Sequence, residues 1–276
     1  MTRLKVIGEK INGTRRRVAQ AIEQRDAAVI RVLAIRQAEA GAAWLDVNAG
    51  TPGGAEPDDL VWLIETIQPV VETPLCLDSA NPAALAAGLR RVERSPMVNS
   101  ISGEPQRIQS ILPLVAEHGC SVIALAMDGA GIPATCDGRL DVARRLMAAT
   151  RAHGVADDHV YLDPLVMTLA TQAEAARITL DTLWAFREEF PQAHLTMGLS
   201  NVSFGLPARS YINRAFLTLA LAAGLDSAIL DPLDREMMAA MVAAELVLGR
   251  DHHCLNYTRS YRAGLFARPE AGLARP

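Results

Sequence analysis

Met97–Asp128 reads MVNSISGEPQRIQSILPLVAEHGCSVIALAMD, and this stretch decides the fold. It opens on the apolar pair Met97–Val98 and runs from Glu104 to His118 with apolar residues at helical spacing. Gly119 comes next, at a position where a helix end favours a residue free to turn left-handed. A second apolar run, Ser121 to Ala126, completes the unit. Strand, helix and strand in about thirty residues is the unit of a parallel sheet, because parallel neighbours need a long crossover where antiparallel ones need only a tight turn.

Outward from this segment the unit repeats. Candidate strands are Leu4–Gly8, Trp44–Val47, Leu75–Leu77, Met97–Val98, Ser121–Ala126, Val160–Leu162, His194–Gly198 and Ser227–Leu230. Helical periodicity lies between and after them, at Arg15–Ala40, Pro57–Val71, Pro82–Arg91, Glu104–His118, Gly138–His153, Thr171–Glu189, Ser210–Ala223 and Arg235–Leu248. Asn81 before Pro82 reads as a helix start, and Gly41, Gly154 and Gly224 read as stops. Eight units in 276 residues predict an α/β fold, a single (β/α)8 TIM barrel, over an open doubly wound sheet. The barrel is expected to span residues 1–262, with residues 263–276, rich in Gly, Pro and Ala, as a flexible C-terminal tail.

Half the residues are apolar and the formal charge is −4, with no basic block beyond Arg15, Arg16 and Arg17, so nucleic acid is not an expected partner. The most apolar stretch, Ala215–Leu225, is about half the ~20 residues that span a bilayer, and Met1–Glu9 carries no signal-peptide pattern. A cytoplasmic protein is expected. Cys76, Cys120, Cys136 and Cys254 form no CxxC pair and read as reduced thiols. His252, His253 and Cys254 read as a polar helix exit in preference to a metal site.

The residues at the carboxyl end of each strand are polar: Glu9, Lys10 and Asn12; Asp46 and Asn48; Asp78; Asn99 and Ser100; Asp128; Asp163; Ser200 and Asn201; Asp231. Any one of these suits a helix cap or a turn. Their recurrence after nearly every strand points to a polar pocket, since in a barrel these loops converge on one mouth. A phosphate-rich ligand would favour Arg, Lys or a glycine cradle, yet no Walker loop and no GxGxxG is present. Two ligands remain open. Mg²⁺ would suit Glu9, Asp46, Asp78 and Asp163, because hard cations take oxygen donors. A pterin would suit them equally, since its ring N–H and neighbouring amino group form a donor pair that one carboxylate accepts in bidentate fashion.

Six motifs then go beyond the generic pattern: GEKINGTRRRV at 8–18, LDVNAGT at 45–51, PLCLDS at 74–79, VNSISGE at 98–104, LDPL at 162–165 and GLSNVSFGLP at 198–207. Together, and in register from about Val6 to Tyr261, they resemble the methyltetrahydrofolate:corrinoid protein methyltransferases. These are pterin-binding barrels related to dihydropteroate synthase and to the folate domain of methionine synthase. The resemblance implies that Asp78, Asn99 and Asp163 hold the pterin ring, while Asn201, with Ser200 and Gly198 beside it, lies against N5. Asn12, Asp46, Asn48 and Arg209 are further candidates, Arg209 facing the benzoyl-glutamate tail or the partner. It also implies tetrahydrofolate or 5-methyltetrahydrofolate as substrate, cobalamin carried by a separate corrinoid protein, no tightly bound metal, and a homodimer. The apolar helical runs Ala215–Ala223 and Met237–Leu248 are compatible with burial in the barrel or against another subunit.

Dihydropteroate synthase is the nearest alternative. It needs a Lys after the sixth strand's Asp-Pro and an Arg-x-His near the eighth strand, whereas this chain has Leu165, Val166, Met167 and Thr168 in the first place and Asp231-Pro232 in the second. A metal-dependent lyase using the rim carboxylates, and a folate-binding subunit without activity, complete the set.

Overall fold

The computed structural model describes residues 3–50 and 55–267. A strand such as Val160–Asp163, buried along its whole length, must be covered on both faces, and a barrel ringed by helices does this. The strands are β1 (Lys5–Asn12), β2 (Trp44–Asn48), β3 (Leu75–Asp78), β4 (Met97–Ser102), β5 (Ser121–Leu125), β6 (Val160–Asp163), β7 (His194–Leu195) and β8 (Ser227–Leu230). All paired neighbours run parallel, in the order β7-β6-β5-β4-β3-β2-β1-β8. The Ile229 N–H donates to the Met197 carbonyl at 2.9 Å, and Gly198 bridges Ile229, which brings the two ends of the sheet together. The chain is therefore a (β/α)8 barrel.

The helices are α1 (Arg16–Glu23), α2 (Ala27–Glu39), α3 (Glu56–Ile67), α4 (Pro82–Leu89), α5 (Pro105–His118), α6 (Cys136–Ala152), α7 (Ala175–Glu189), α8 (Arg209–Ala222), α9 (Arg235–Val247) and α10 (Leu255–Arg262). Several departures from the sequence reading have local causes. The single helix expected over Arg15–Ala40 is broken, because Arg25 takes φ 54° and the Asp26 carboxylate accepts the Ala28 and Val29 N–H groups to start α2. Strand β1 runs on to Asn12, past a register shift between Gly8 and Ile11. The polar segment His252–Cys254 forms a 3-10 turn that leads into α10, and Leu265 and Phe266 pack back on the core, with the Phe266 ring 4.7 Å from Tyr257. The rest of the expected tail, 268–276, lies outside the described residues. Among the described residues, no helix is long and apolar enough to cross a membrane.

The alternation of side chains along a strand sets the site. Ile7, Cys76, Met97, Ile123 and Tyr161 form a cluster of their own in the barrel lumen, with Trp44, Leu125 and Ile229 against it. Two residues farther along the same strands, on the same face, stand Glu9, Asp46, Asp78, Asn99 and Asp163. The apolar layer is the floor, and the polar layer above it opens to the mouth.

Candidate functional site

Strands β3 and β4 pair with Asp78 beside Asn99. The Asn48 amide donates Nδ2–H to Asp78 Oδ2 at 2.8 Å, and among the described residues no donor reaches Asp78 Oδ1. One register step below, the Asn99 amide donates to Asp46 Oδ1 at 3.2 Å, and the Cys76 thiol hydrogen-bonds the same carboxyl. The Asn99–Ser100 peptide is cis, at a register shift in β4. Four residues singled out in the sequence, Asp46, Asn48, Asp78 and Asn99, thus form one connected group. Asp46, only 3% exposed, lies at its base.

Asp163 ends β6 and is 5% exposed. Its Oδ1 accepts the Leu165 N–H at 2.7 Å, and the Gly198 N–H, from the loop after β7, bonds the same carboxyl. That second bond ties the β6 end to the segment bearing Asn201. Leu199–Ser203 forms a 3-10 turn, and the exposed Asn201 folds over Gly198 so closely that a methyl group on Gly198 would stand 3.1 Å from Asn201 Nδ2. Arg209 is tied to this loop: Nη2 donates to the Ser200 carbonyl at 2.6 Å and Nε to Ser203 Oγ at 3.0 Å. The Ser203 hydroxyl in turn donates to Asn213 Oδ1 at 2.7 Å.

Other rim residues are engaged locally. Asn12 Oδ1 accepts the Thr14 N–H at 2.9 Å and the Thr14 hydroxyl at 2.7 Å, as a turn residue does. Glu9 pairs with Arg15 at 2.8 Å, Lys10 with Asp231 at 2.5 Å, and Asp128 with Arg145. Among the described residues no group of three or more His, Cys, Asp or Glu is placed to hold a metal ion.

Taking a carboxylate out of water disfavours its charge, and this dominates the electrostatics here. Burial pushes Asp46 well above the usual carboxylate range and the neighbouring Asp78 pushes it further, against the bonds from Asn99 and Cys76. Asp78 is raised by burial and by Glu56, and drawn back by Asn48. Burial lifts Asp163 to about 7, although the Leu165 N–H, the Arg139 charge and the Gly198 N–H all pull the other way. Burial therefore favours the neutral form of these mouth carboxyls more than that of surface acids. A protonated carboxyl donates one hydrogen bond, while an ionised one accepts a donor pair. The sequence reading missed Arg139, whose position in α6 gives no sign that its guanidinium is buried.

Residues 8–231 match the family described as pterin binding enzyme. This chain belongs to the pterin-binding enzyme family. Within it, the chain is 40% identical over 261 residues to the methylcorrinoid:tetrahydrofolate methyltransferase of Eubacterium limosum, an alignment covering 94% of this chain and 96% of that relative. It is 34% identical over 237 residues to the methionine synthase of Mycobacterium tuberculosis, covering 81% of this chain and a fifth (20%) of that longer protein. The fold is similar to that of Yersinia pestis dihydropteroate synthase, with a TM-score of 0.64 at 20% identity, covering 90% of this chain and 94% of the other.

Proposed function

We propose that this chain is a methyltransferase that moves a methyl group between N5 of tetrahydrofolate and the cobalt of a corrinoid carried by a separate protein. One observation carries the reading: Asp78, Asn99, Asp163 and Asn201 share one barrel mouth in a chain alignable almost end to end with a methylcorrinoid:tetrahydrofolate methyltransferase. Dihydropteroate synthase shares the fold at 20% identity, but Leu165–Thr168 follow Asp163-Pro164 where that reaction needs a Lys, and Asp231-Pro232 stands where its Arg-x-His is expected.

The residues fit a pterin. Asp78 presents an oxygen that no donor among the described residues reaches, and Asp163 changes charge near neutral pH, so a ring N–H beside an amino group meets a carboxyl that becomes ionised as it binds. Asn99 directs its N–H₂ to Asp46 and keeps its carbonyl for a ligand donor. In this reading N5 faces the β7 loop and Asn201, as the family resemblance implies.

Loss of a methyl group from N5 is difficult because the departing nitrogen is a poor leaving group unless its growing lone pair is stabilised. The Asn201 amide donates an N–H to that lone pair as the N5–methyl bond breaks, and a proton from solvent then completes N5–H, since an amide supplies no proton at neutral pH. A fixed donor aimed at developing charge is worth roughly 2–4 kcal/mol in the transition state. The corrinoid, on its own protein, supplies a cobalt centre that accepts or returns the methyl group. A pocket complementary to one transition state serves both directions.

Two further assignments belong to this reading. The chain acts as a homodimer, supported by Trp184 on α7, Leu219 on α8 and Val247 on α9, which are 58%, 55% and 86% exposed on consecutive helices. It works in the cytoplasm, supported by four free cysteines.

The test mixes the protein with cob(I)alamin and 5-methyltetrahydrofolate and measures loss of the Co(I) absorbance. The wild-type chain is expected to accelerate the loss, and Asn201→Ala to slow it by roughly 30-fold to 1,000-fold with folate affinity little changed. No acceleration by wild type, or equal rates for the two proteins, would overturn the assignment.

A further inference from the structure

Arg139 is among the largest side chains fully enclosed in the molecule, 1% exposed, and among the described residues it makes no ion pair at contact distance. A buried guanidinium without a contacting carboxylate is costly, so its surroundings matter. Its Nε–H donates to the Pro133 carbonyl at 3.0 Å, in the loop between β5 and α6. Its Nη1 donates to the Leu165 carbonyl at 2.8 Å and lies 3.4 Å from Thr179 Oγ1 on α7. Leu165 is a non-glycine residue at φ 64°, a conformation disfavoured for L side chains. Its N–H points the opposite way, to Asp163 Oδ1 at 2.7 Å. Leu165 is therefore held at both ends, by the Asp163 carboxyl and by Arg139.

We propose that Arg139 is a positioning residue for Asp163, acting through the backbone of Leu165 and through its own buried charge. The proposal rests on the reading of Asp163 as a pterin-binding carboxyl. Among the described residues, Asp163 is faced by the Leu165 and Gly198 N–H groups from the loops after β6 and β7, by Leu125 beside it on β5, and by the Arg139 charge from α6. Arg139 itself is faced by Asp163 and by Cys136. The guanidinium favours the ionised carboxylate at a position where burial opposes it. It also holds Leu165 in its left-handed conformation, so the Leu165 N–H stays aimed at Oδ1.

These two effects separate by substitution. The probe is 5-methyltetrahydrofolate binding, measured by calorimetry between pH 5.5 and 9 on wild type, Arg139→Met and Arg139→Lys, each checked for folding by thermal melting. Affinity for a ligand that needs ionised Asp163 is lost as pH falls through the Asp163 titration. Without the positive charge that midpoint moves up, so R139M is expected to shift it by about one pH unit. R139K keeps the charge and loses the planar fork, so its midpoint stays near wild type while affinity at high pH falls by roughly 5-fold, as for one lost hydrogen bond. Wild-type binding with an R139M midpoint equal to wild type would overturn the proposal and leave the pterin site standing. If R139M does not fold, R139K with unchanged high-pH affinity overturns it equally well. A wild-type chain that binds no folate removes the underlying reading instead.

Discussion

Gly198→Ala is expected to make the protein more stable and less active. Gly198 has φ −74° and ψ 87°, a conformation open to alanine, so the substitution introduces no backbone strain. An alanine in place of glycine at such a position restricts the unfolded chain and stabilises by about 0.4–1 kcal/mol. For a domain of this size that raises the melting temperature by about 1–4 °C. The new methyl group, however, stands 3.1 Å from Asn201 Nδ2, closer than a relaxed contact, so the amide must move by a few tenths of an ångström. Asn201 is exposed and can give way, but only by leaving the place from which it would meet N5. Losing the donor entirely would remove roughly 2–4 kcal/mol, and a displacement forfeits part of that, so turnover should fall by roughly 10-fold to 100-fold. The assay pairs a melting curve with the Co(I) absorbance assay at saturating 5-methyltetrahydrofolate. A variant that melts higher and turns over as fast as wild type would show that the Asn201 amide is not at the reaction centre.

Two further outcomes are expected. Asp163 titrates at about 7 in the folded chain and near 3.9 when unfolded, so its burial costs stability as pH rises from about 4 to about 7 and levels off above; the full difference corresponds to ~4 kcal/mol at most. The stability of Asp163→Asn relative to wild type should therefore improve by about 1–4 kcal/mol between pH 4 and pH 8, read from urea melts at each pH, and a pH-independent difference would contradict a raised Asp163. Sedimentation at micromolar concentration should show a dimer that Trp184→Glu with Val247→Glu converts to monomer without loss of fold, whereas a wild-type monomer would remove the assigned interface.

The barrel was legible because each strand and helix carried its own period and punctuation, as in Met97–Asp128, where strands form at Met97–Ser102 and Ser121–Leu125 around a helix ending at Gly119. The mouth was legible for a related reason, since a two-residue step from the apolar Ile7, Trp44, Cys76, Met97 and Tyr161 lands on Glu9, Asp46, Asp78, Asn99 and Asp163. The features that periodicity could not reveal were set by single residues acting against their neighbourhood. The pattern over Arg15–Ala40 is helical throughout, but the Asp26 cap outweighs it, and the cue was an Asp ahead of two alanines. Arg209 reads in the sequence as a helix-start residue, and its bonds to Ser200 and Ser203 follow from the curl of its own loop, which no period shows. Arg139 was invisible because burial of a helical arginine depends on loops far away in sequence, here those at Pro133 and Leu165.

The protonation of the mouth is a consequence of the same layering that closes the barrel. The lumen below the carboxyls is filled by Cys76, Met97, Ile123 and Tyr161, each 2% exposed or less, so no water reaches Asp46 or Asp163 from beneath. Their carboxyls are consequently neutral more often than surface acids are, and gain charge where hydrogen-bond donors compensate for burial. A ligand bearing the donor pair supplies from above the hydrogen bonds that water supplies to an exposed carboxylate. If Asp163 holds the pterin as proposed, binding and ionisation are linked: folate affinity is expected to rise as pH climbs through the Asp163 titration, and bound folate to lower that titration by the same free energy. On the proposed reading, apolar packing in the lumen thus sets both the stability of the barrel and the pH range over which its mouth holds a pterin.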